Sequence, residues 1–232
     1  MTAADDLRAS LAHETQHLLG ATIAVTDEQW HEPSSLPGWT RAHLATHIAR
    51  NADGLVRLIR GALDGTPAQM YPSDEVRDAE IAEGATRSGL ELQQDLDASA
   101  GRFGQAFDEL AESGRLDAVV TMRGGAEVPA GLLGVARLGE VVLHHADLAL
   151  GYSLTEADGP ALQALLEWAS RRMGRKPEMP PVLLRWEGGE LSVGEGEPTA
   201  VVEGTPAALL GWLTGRDGGA VTGADGIAPP PY

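Results

Sequence analysis

Apolar residues recur at helical spacing through the first two-thirds of the chain, with polar and charged residues between them. This spacing predicts four long amphipathic helices, because positions three and four apart share one helix face. The predicted segments are a first helix through Leu7, Leu11, Leu18 and Ala21, and three further helices over about 41–63, 88–112 and 132–150. Four such segments with connecting loops favour a four-helix bundle.

Turn signals separate the predicted helices. Thr40 follows a Pro-Gly turn and is a suitable N-cap for the second helix. A loop that contains Gly65, Pro67 and Pro72 is predicted before the third helix. The pair Gly124-Gly125 lies between short apolar runs and predicts the tip of a β-hairpin.

The pattern changes near Gly151, where shorter apolar runs and more frequent turn signals begin. The predicted elements there are a helix over 161–173, a hairpin of 182–186 and 191–193, a strand at 200–203, a helix over 206–213 and a final strand at 220–222. The predicted fold class is therefore α+β. It comprises an N-terminal bundle over residues 1–153 and a small α/β domain over residues 154–232.

Composition excludes several classes of protein. The 232 residues are 43% hydrophobic, which is enough for a core and argues against disorder. A formal net charge of −17 lacks the basic footprint of a nucleic-acid binder. There is no cysteine, so the chain offers neither a disulfide nor a thiol nucleophile. No segment matches a membrane span or a signal peptide, so we expect a cytoplasmic protein without a membrane partner.

Two helical pairs could carry metal chemistry. His43 and His47 are four residues apart on the second predicted helix, and Glu140 and His144 are four apart on the fourth. Each pair projects from one helix face, and imidazole and carboxylate are good ligands for zinc and other divalent metals. Such pairs are also common on solvated helix surfaces. Apolar flanking residues favour the metal for Glu140, because an inward carboxylate needs a partner or a metal.

Four other residues have alternative interpretations. His145 points about 100° away from His144 on a helix, so it would be structural or support a ligand. Asp147 could accept a histidine N–H or be a solvated acid. Arg216 follows the terminal helix and could bind a carboxylate or the exposed helix carbonyls. Arg77 lies among acidic residues and could simply form a salt bridge.

Several segments resemble a known family, in the same order along nearly the whole chain. Residues 36–47, which end in His43-Leu44-Ala45-Thr46-His47, resemble the first metal-binding helix of the DinB-like thiol-dependent metalloenzymes, and residues 139–148 resemble the second. Residues 70–82, which include Arg77, and the Arg216 turn at 215–219 resemble mycothiol-dependent maleylpyruvate isomerases. The resemblance implies a DinB-like four-helix bundle followed by a domain related to sterol carrier proteins.

The resemblance also implies roles for particular residues. A divalent metal, with zinc as the expected ion, would be bound by His47, Glu140 and His144, with His43 outside the ligand set. Arg216 and Arg77 would bind substrate carboxylates. Because the protein is globally acidic, these arginines and the metal would have to overcome the long-range repulsion of a dianion.

The implied activity is the cis–trans isomerisation of maleylpyruvate to fumarylpyruvate in gentisate breakdown. A thiolate adds to the double bond, the single bond rotates and the thiolate leaves. Mycothiol would supply the sulfur, since this chain has no cysteine. Two alternatives stay open: a mycothiol S-transferase that conjugates the thiol to an electrophile, and a non-catalytic small-molecule-binding module.

Overall fold

The computed structural model describes residues 3–232 of the chain. The helices are α1 (Ala3–Thr22), α2 (Asp27–Trp30), α3 (Arg41–Asp64), α4 (Asp74–Gly84), α5 (Gly89–Glu112), α6 (Leu133–Asp147), α7 (Gly159–Met173) and α8 (Pro206–Thr214). The strands are β1 (Val119–Thr121), β2 (Glu127–Pro129), β3 (Val182–Trp186), β4 (Gly189–Val193) and β5 (Ala200–Glu203). Short 3-10 helices cover Ala130–Leu132 and Leu154–Glu156.

The chain forms two compact units. One comprises residues 11–150, and the other comprises residues 151–232 with the start of α1 up to Ser10. The sequence predicts a boundary three residues later, after residue 153, and assigns the first ten residues to the bundle. Helices pack in the first unit and a small sheet accompanies α7 and α8 in the second, so the fold is α+β.

Helix α3 is central to the helical unit, because α4, α5 and α6 all pack against it. Its predicted apolar positions are fully buried, and they are Leu44, Ile48, Leu55, Leu58 and Ile59. Thr40 caps its N-terminus as predicted, since the Thr40 side chain accepts a hydrogen bond from the backbone N–H of His43. The predicted hairpin is also present, with β1 and β2 antiparallel.

The start of α3 is tied to the end of α6. Nε of Arg41 donates to the carbonyl oxygen of Leu148 at 2.7 Å, and the backbone N–H of Ser35 donates to that of Asp147 at 2.8 Å. Ala149 has a left-handed backbone with φ of 54°, which ends α6 at Asp147 rather than at the predicted Leu150. These contacts hold together the two helices that carry the histidines discussed below.

Helix α4 was not predicted. The sequence pattern indicates a loop in the segment between the second and third predicted helices. Ser73 caps it, but only Arg77, Ile81 and Gly84 of its residues are buried. So few buried positions give almost no apolar stripe, and apolar periodicity is the main helical signal in a sequence. The helix nevertheless packs on α3 through a close contact of Gly84 with Thr46, next to His47.

Replacing Gly84 with alanine is expected to destabilise the protein. A Cβ atom at Gly84 would clash with the Thr46 side chain, and overpacking of this kind costs about 1–3 kcal/mol. The control is Gly101→Ala in α5, where a Cβ meets open space and alanine should add about 0.5–1 kcal/mol. Urea unfolding of both variants measures the difference. If Gly84→Ala raised the free energy of unfolding as much as Gly101→Ala does, the close approach of α4 to α3 would be contradicted.

The second unit has a three-stranded sheet in the order β4-β3-β5. Strand β3 pairs antiparallel with β4, as the predicted hairpin requires, and parallel with β5. The strand predicted at 220–222 is wrong: among the described residues, only Thr222 forms an isolated bridge there, with Glu203. Gly219 and Gly223 flank this segment with positive φ angles, which interrupts extended pairing on both sides.

No helix within residues 3–232 is both long and apolar enough to cross a membrane.

Candidate metal centre

Helices α3 and α6 bring His47, Glu140 and His144 together. Nε2 of His47 lies 3.1 Å from Oε2 of Glu140, and Nε2 of His144 lies 3.4 Å from the same oxygen. One ligand atom from each residue lies within 4.8 Å of the other two. The three side chains that the family resemblance implies as metal ligands therefore lie together in the structure.

The centre is largely shielded from solvent and holds a negative charge. Burial alone would raise the pKa of Glu140, but the His144 and His47 imidazoles beside its carboxylate hold it well below its usual range. Burial lowers the pKa of His47, and this outweighs the opposing hydrogen bond with Glu140. The site therefore presents an ionised carboxylate beside an imidazole that favours its neutral form, which suits cation binding.

Asp147 supports His144 from the far side of the ring. Its Oδ2 lies 2.8 Å from Nδ1 of His144, and the residue is only 3% exposed. Burial opposes protonation of His144, but the hydrogen bonds with Asp147 and Glu140 raise its pKa overall. A proton on Nδ1, shared with Asp147, would orient His144 so that Nε2 could bind a metal in place of its contact with Glu140. Of the two sequence interpretations, the solvated acid is therefore wrong.

Replacing Asp147 with asparagine is expected to weaken metal binding by about 10- to 100-fold, the usual cost of losing a partner that orients a histidine ligand. The amide retains the size of the side chain but loses the charge that stabilises Nδ1–H. Competition with a chelator of known affinity measures the change. Unaltered affinity would show that Asp147 does not orient His144 for metal.

Arg77, on α4, is buried against the same centre. Its Nη2 lies 3.2 Å from Nδ1 of His47, and its Nη1 donates to Oδ1 of Asp78 at 2.7 Å. The guanidinium carbon lies 6.0 Å from the Trp39 ring centre and 5.8 Å from that of Tyr71. The salt bridge predicted as one alternative is thus present, and the same guanidinium also lies beside a metal-ligand candidate.

The other histidines singled out in the sequence do not join the centre. The ring of His43 contacts the Thr40 hydroxyl at 2.7 Å as part of the α3 cap. His145 is buried edge-on against the ring of His17, and burial lowers its pKa to about 4. His43 therefore lies outside the converging group of side chains, and His145 contributes to packing.

Arg216 lies in the other unit. Its Nη1 donates to the carbonyl oxygen of Thr214 at 2.9 Å, which is the helix-end contact that the sequence left open as an alternative. A carboxylate-binding role for Arg216 therefore stays a prediction from the resemblance.

Sequence reasoning missed two residues near the centre. Arg137 is 2% exposed, and its Nη1 donates to the carbonyl oxygen of Ile48 at 2.7 Å; burial lowers its pKa to about 10. Tyr71 is 7% exposed and packs against Arg77. A signal existed for Arg137, because it lies in the same apolar stretch that drew attention to Glu140. Nothing in the sequence alone distinguishes Tyr71 from a core residue.

The donor set fits a divalent metal. Two imidazoles and one carboxylate form a three-ligand set of the kind found at catalytic zinc, which leaves a coordination position for another ligand. Oε2 of Glu140 is buried, so the two histidines or a cation must compensate its charge. Among the described residues, His47, Glu140 and His144 are the group of side chains that could hold a metal ion together.

Comparison with known families places this geometry in context. The family model described as the mycothiol maleylpyruvate isomerase N-terminal domain matches residues 11–149. The chain belongs to this family. The matched range includes His47, Arg77, Glu140 and His144, so the whole candidate centre lies within the mycothiol maleylpyruvate isomerase N-terminal domain. The resemblance stated from the sequence is thereby confirmed.

Solved structures extend the likeness over the whole chain. A crystal structure described as the mycothiol-dependent maleylpyruvate isomerase is 27% identical, with a TM-score of 0.87, and the match covers 100% of this chain and 98% of that one. A histidine-to-alanine mutant with the same description is 26% identical, with a TM-score of 0.86 and the same coverage. The comparison with curated proteins found no match.

Proposed function

We propose that the chain is a mycothiol-dependent cis–trans isomerase that converts maleylpyruvate to fumarylpyruvate at a divalent-metal site, with zinc as the metal. The observation that carries this proposal is the convergence of His47, Glu140 and His144 beside the buried Arg77. Membership of the mycothiol maleylpyruvate isomerase family supports the reaction and the thiol. By the same proposal, the reaction belongs to gentisate breakdown.

The three ligands would hold the metal through Nε2 of each histidine and the Glu140 carboxylate. When bound, a divalent metal lowers the pKa of a coordinated thiol and so favours the thiolate near neutral pH. The thiol must come from outside the chain, which contains no cysteine. Asp147 would keep the proton of the metal-bound His144 on Nδ1. The Trp39 ring lies 5.3 Å from the His47 ring and would limit the access of water from this side.

Arg77 is proposed to bind a carboxylate of the substrate. A histidine that binds metal through Nε2 carries its proton on Nδ1, which then cannot accept a hydrogen bond. With the metal bound, the guanidinium donors that face His47 would therefore be available to a carboxylate. Arginine also suits this role because its planar fork can bind both carboxylate oxygens. Arg216 keeps the same proposed role on the strength of the sequence resemblance alone.

The Arg77 guanidinium would stabilise the negative charge that develops on the substrate during the reaction. Reversible addition to the double bond next to a carbonyl places negative charge on oxygen, and a fixed guanidinium stabilises that charge without reorganisation. The Trp39 and Tyr71 rings, whose centres lie 6.0 Å and 5.8 Å from the Arg77 guanidinium carbon, limit where this group can lie. Arg77 would thus orient the dianion while the metal ligands hold the thiol-binding ion.

The deciding experiment supplies the zinc-loaded protein with maleylpyruvate, with and without mycothiol, and follows both isomers by NMR. Conversion to fumarylpyruvate that requires catalytic mycothiol is the expected result. Equal turnover without thiol would overturn the mechanism. Stoichiometric consumption of mycothiol with accumulation of a conjugate would instead establish the S-transferase alternative, and no conversion under either condition would refute the proposal.

A further inference from the structure

A cleft of about 570 Å³ lies between the segment that joins α3 to α4 and the tip of the β1–β2 hairpin. We call it the hairpin cleft; residues 67–71, 73–74, 121–123 and 125 line it. All of these residues belong to the helical unit that contains the metal-centre candidates. A space of this size falls in the range of small-molecule sites, which span about 300–1,000 Å³.

The walls of the hairpin cleft are polar but carry no net charge. Asp74 and Arg123 are its charged residues among those described, and they pair at 2.8 Å. The amide of Gln69 and the hydroxyls of Ser73 and Thr121 supply both donors and acceptors. Met70 and Met122 add adaptable apolar surface. Such a surface suits a neutral ligand with many hydroxyl groups better than a dianion.

Tyr71 connects the hairpin cleft to the metal centre. It lines the cleft, while its ring packs 5.8 Å from the guanidinium carbon of Arg77, which in turn contacts His47. The hydroxyl oxygen of Tyr71 is buried and has no hydrogen-bond partner among the described residues. Burial is the main cause that raises the pKa of this hydroxyl, and the negative charge of Glu140 raises it further. The positive charges of Arg77 and Arg123 oppose the rise. Because the contacts run from Tyr71 through Arg77 to His47, an elongated ligand in the cleft would have to pass Tyr71 to reach the metal-ligand candidates.

Mycothiol has the required asymmetry. It carries its thiol at one end and two polyhydroxylated rings at the other, and it has no ionised group besides the thiol. A thiolate at the metal would leave the ring end to be bound elsewhere. Because the substrate is a dianion, it gains most from Arg77 and gains nothing from the compensated Asp74–Arg123 pair.

We infer that the hairpin cleft binds the polyhydroxylated rings of the thiol cofactor, with Gln69, Thr121 and the Asp74–Arg123 pair as hydrogen-bonding partners and Tyr71 next to the linker to the thiol. The inference rests on the proposed function, because it takes mycothiol to be the cofactor. It assigns the cofactor and the substrate to different groups of residues.

The test replaces Thr121 with tryptophan to fill the hairpin cleft. Thr121 is exposed on β1, where an aromatic side chain is well tolerated. The matched control is Val119→Trp, because Val119 is exposed on the same face of the same strand but does not line the cleft. A second variant, Arg123→Gln, leaves the cleft open and removes one member of the charge pair.

The probe is N-acetylglucosaminyl-inositol, the ring portion of mycothiol with an acetyl group in place of the cysteine so that its amide stays neutral, and affinity is measured by isothermal titration calorimetry. We expect Thr121→Trp and Arg123→Gln each to raise the Kd for this probe and the KM for mycothiol by at least about tenfold. The KM for maleylpyruvate and the metal content should not change. Val119→Trp should behave as the unmodified protein in every measurement.

The outcomes separate this inference from the proposed function. Mycothiol-dependent isomerisation with unchanged KM for mycothiol in both cleft variants would overturn the inference and leave the function intact. The same holds if the unmodified protein does not bind the probe. Probe binding that the cleft variants abolish, in a protein that isomerises nothing, would support the cleft as a polyol site and refute the function. A raised KM for maleylpyruvate alone would assign the cleft to the substrate and overturn the inference.

Discussion

Replacing His144 with alanine should remove the tightly bound divalent metal and, with it, isomerase activity. The change leaves Glu140 and His47 as a two-ligand set, and it also leaves the buried Oε2 of Glu140 with one histidine partner instead of two. Loss of an outer hydrogen-bonding partner already costs about 10- to 100-fold in metal affinity, so loss of a ligand should cost more than about 100-fold. Mass-spectrometric metal content and chelator competition measure this directly. His47→Ala should give the same result from the other helix.

His43→Ala provides the matched control for this prediction. It removes an imidazole from α3 one turn before His47, but the His43 ring interacts with Thr40 at the helix cap. The variant should keep one equivalent of metal and lose only about 0.5–1 kcal/mol of folding stability from the weakened cap. Retention of a full equivalent of metal by both His47→Ala and His144→Ala would contradict the ligand assignment. Metal loss in His43→Ala but not in His47→Ala would instead assign His43 as the ligand from α3.

The positions of the candidate ligands on α6 could be predicted because they follow from local regularities. A separation of four residues places Glu140 and His144 on one helix face, and the apolar flanks of Glu140 direct that face inward. The cap at Thr40 and the hairpin tip at Gly124-Gly125 are equally local signals, and both are present in the structure. The sequence pattern did not separate His43 from His47 as the candidate ligand on α3, because the two share a helix face and only the resemblance distinguished them.

The missed features depend on contacts between distant segments. Asp147 is buried because the turn before α3 covers the end of α6, with the N–H of Ser35 bound to the Asp147 carbonyl. Helix α4 packs through Gly84 and places Arg77 against His47, 30 residues away in the chain. Neither approach leaves a periodic signal in the sequence. Tertiary packing decided both, as it did for Arg137, whose guanidinium reaches the Ile48 carbonyl on α3.

Replacing Arg77 with methionine should raise the KM for maleylpyruvate while the metal stays bound. Methionine approximates the length and volume of the arginine stem, so the packing against Trp39 and Tyr71 is largely kept. The guanidinium would supply charge-assisted hydrogen bonds to a substrate carboxylate, worth about 2–3 kcal/mol. That loss corresponds to a rise in KM of about 30- to 150-fold. Initial rates at varied substrate and saturating mycothiol give the value.

Two further variants distinguish substrate binding from a general effect of charge or structure. Arg77→Lys keeps the positive charge but lacks the planar fork, so it should recover only part of the affinity if the carboxylate is bound by two parallel hydrogen bonds. Arg60→Met removes an exposed arginine that pairs with Glu109 on the helical surface, and its KM should match that of the unmodified protein. If Arg77 merely held His47 in place, Arg77→Met would lose metal at unchanged KM for the fraction that remains loaded. A rise in KM at full metal content that Arg77→Lys recovers only in part would identify Arg77 as a ligand of the substrate, because lysine would restore a purely long-range effect of charge.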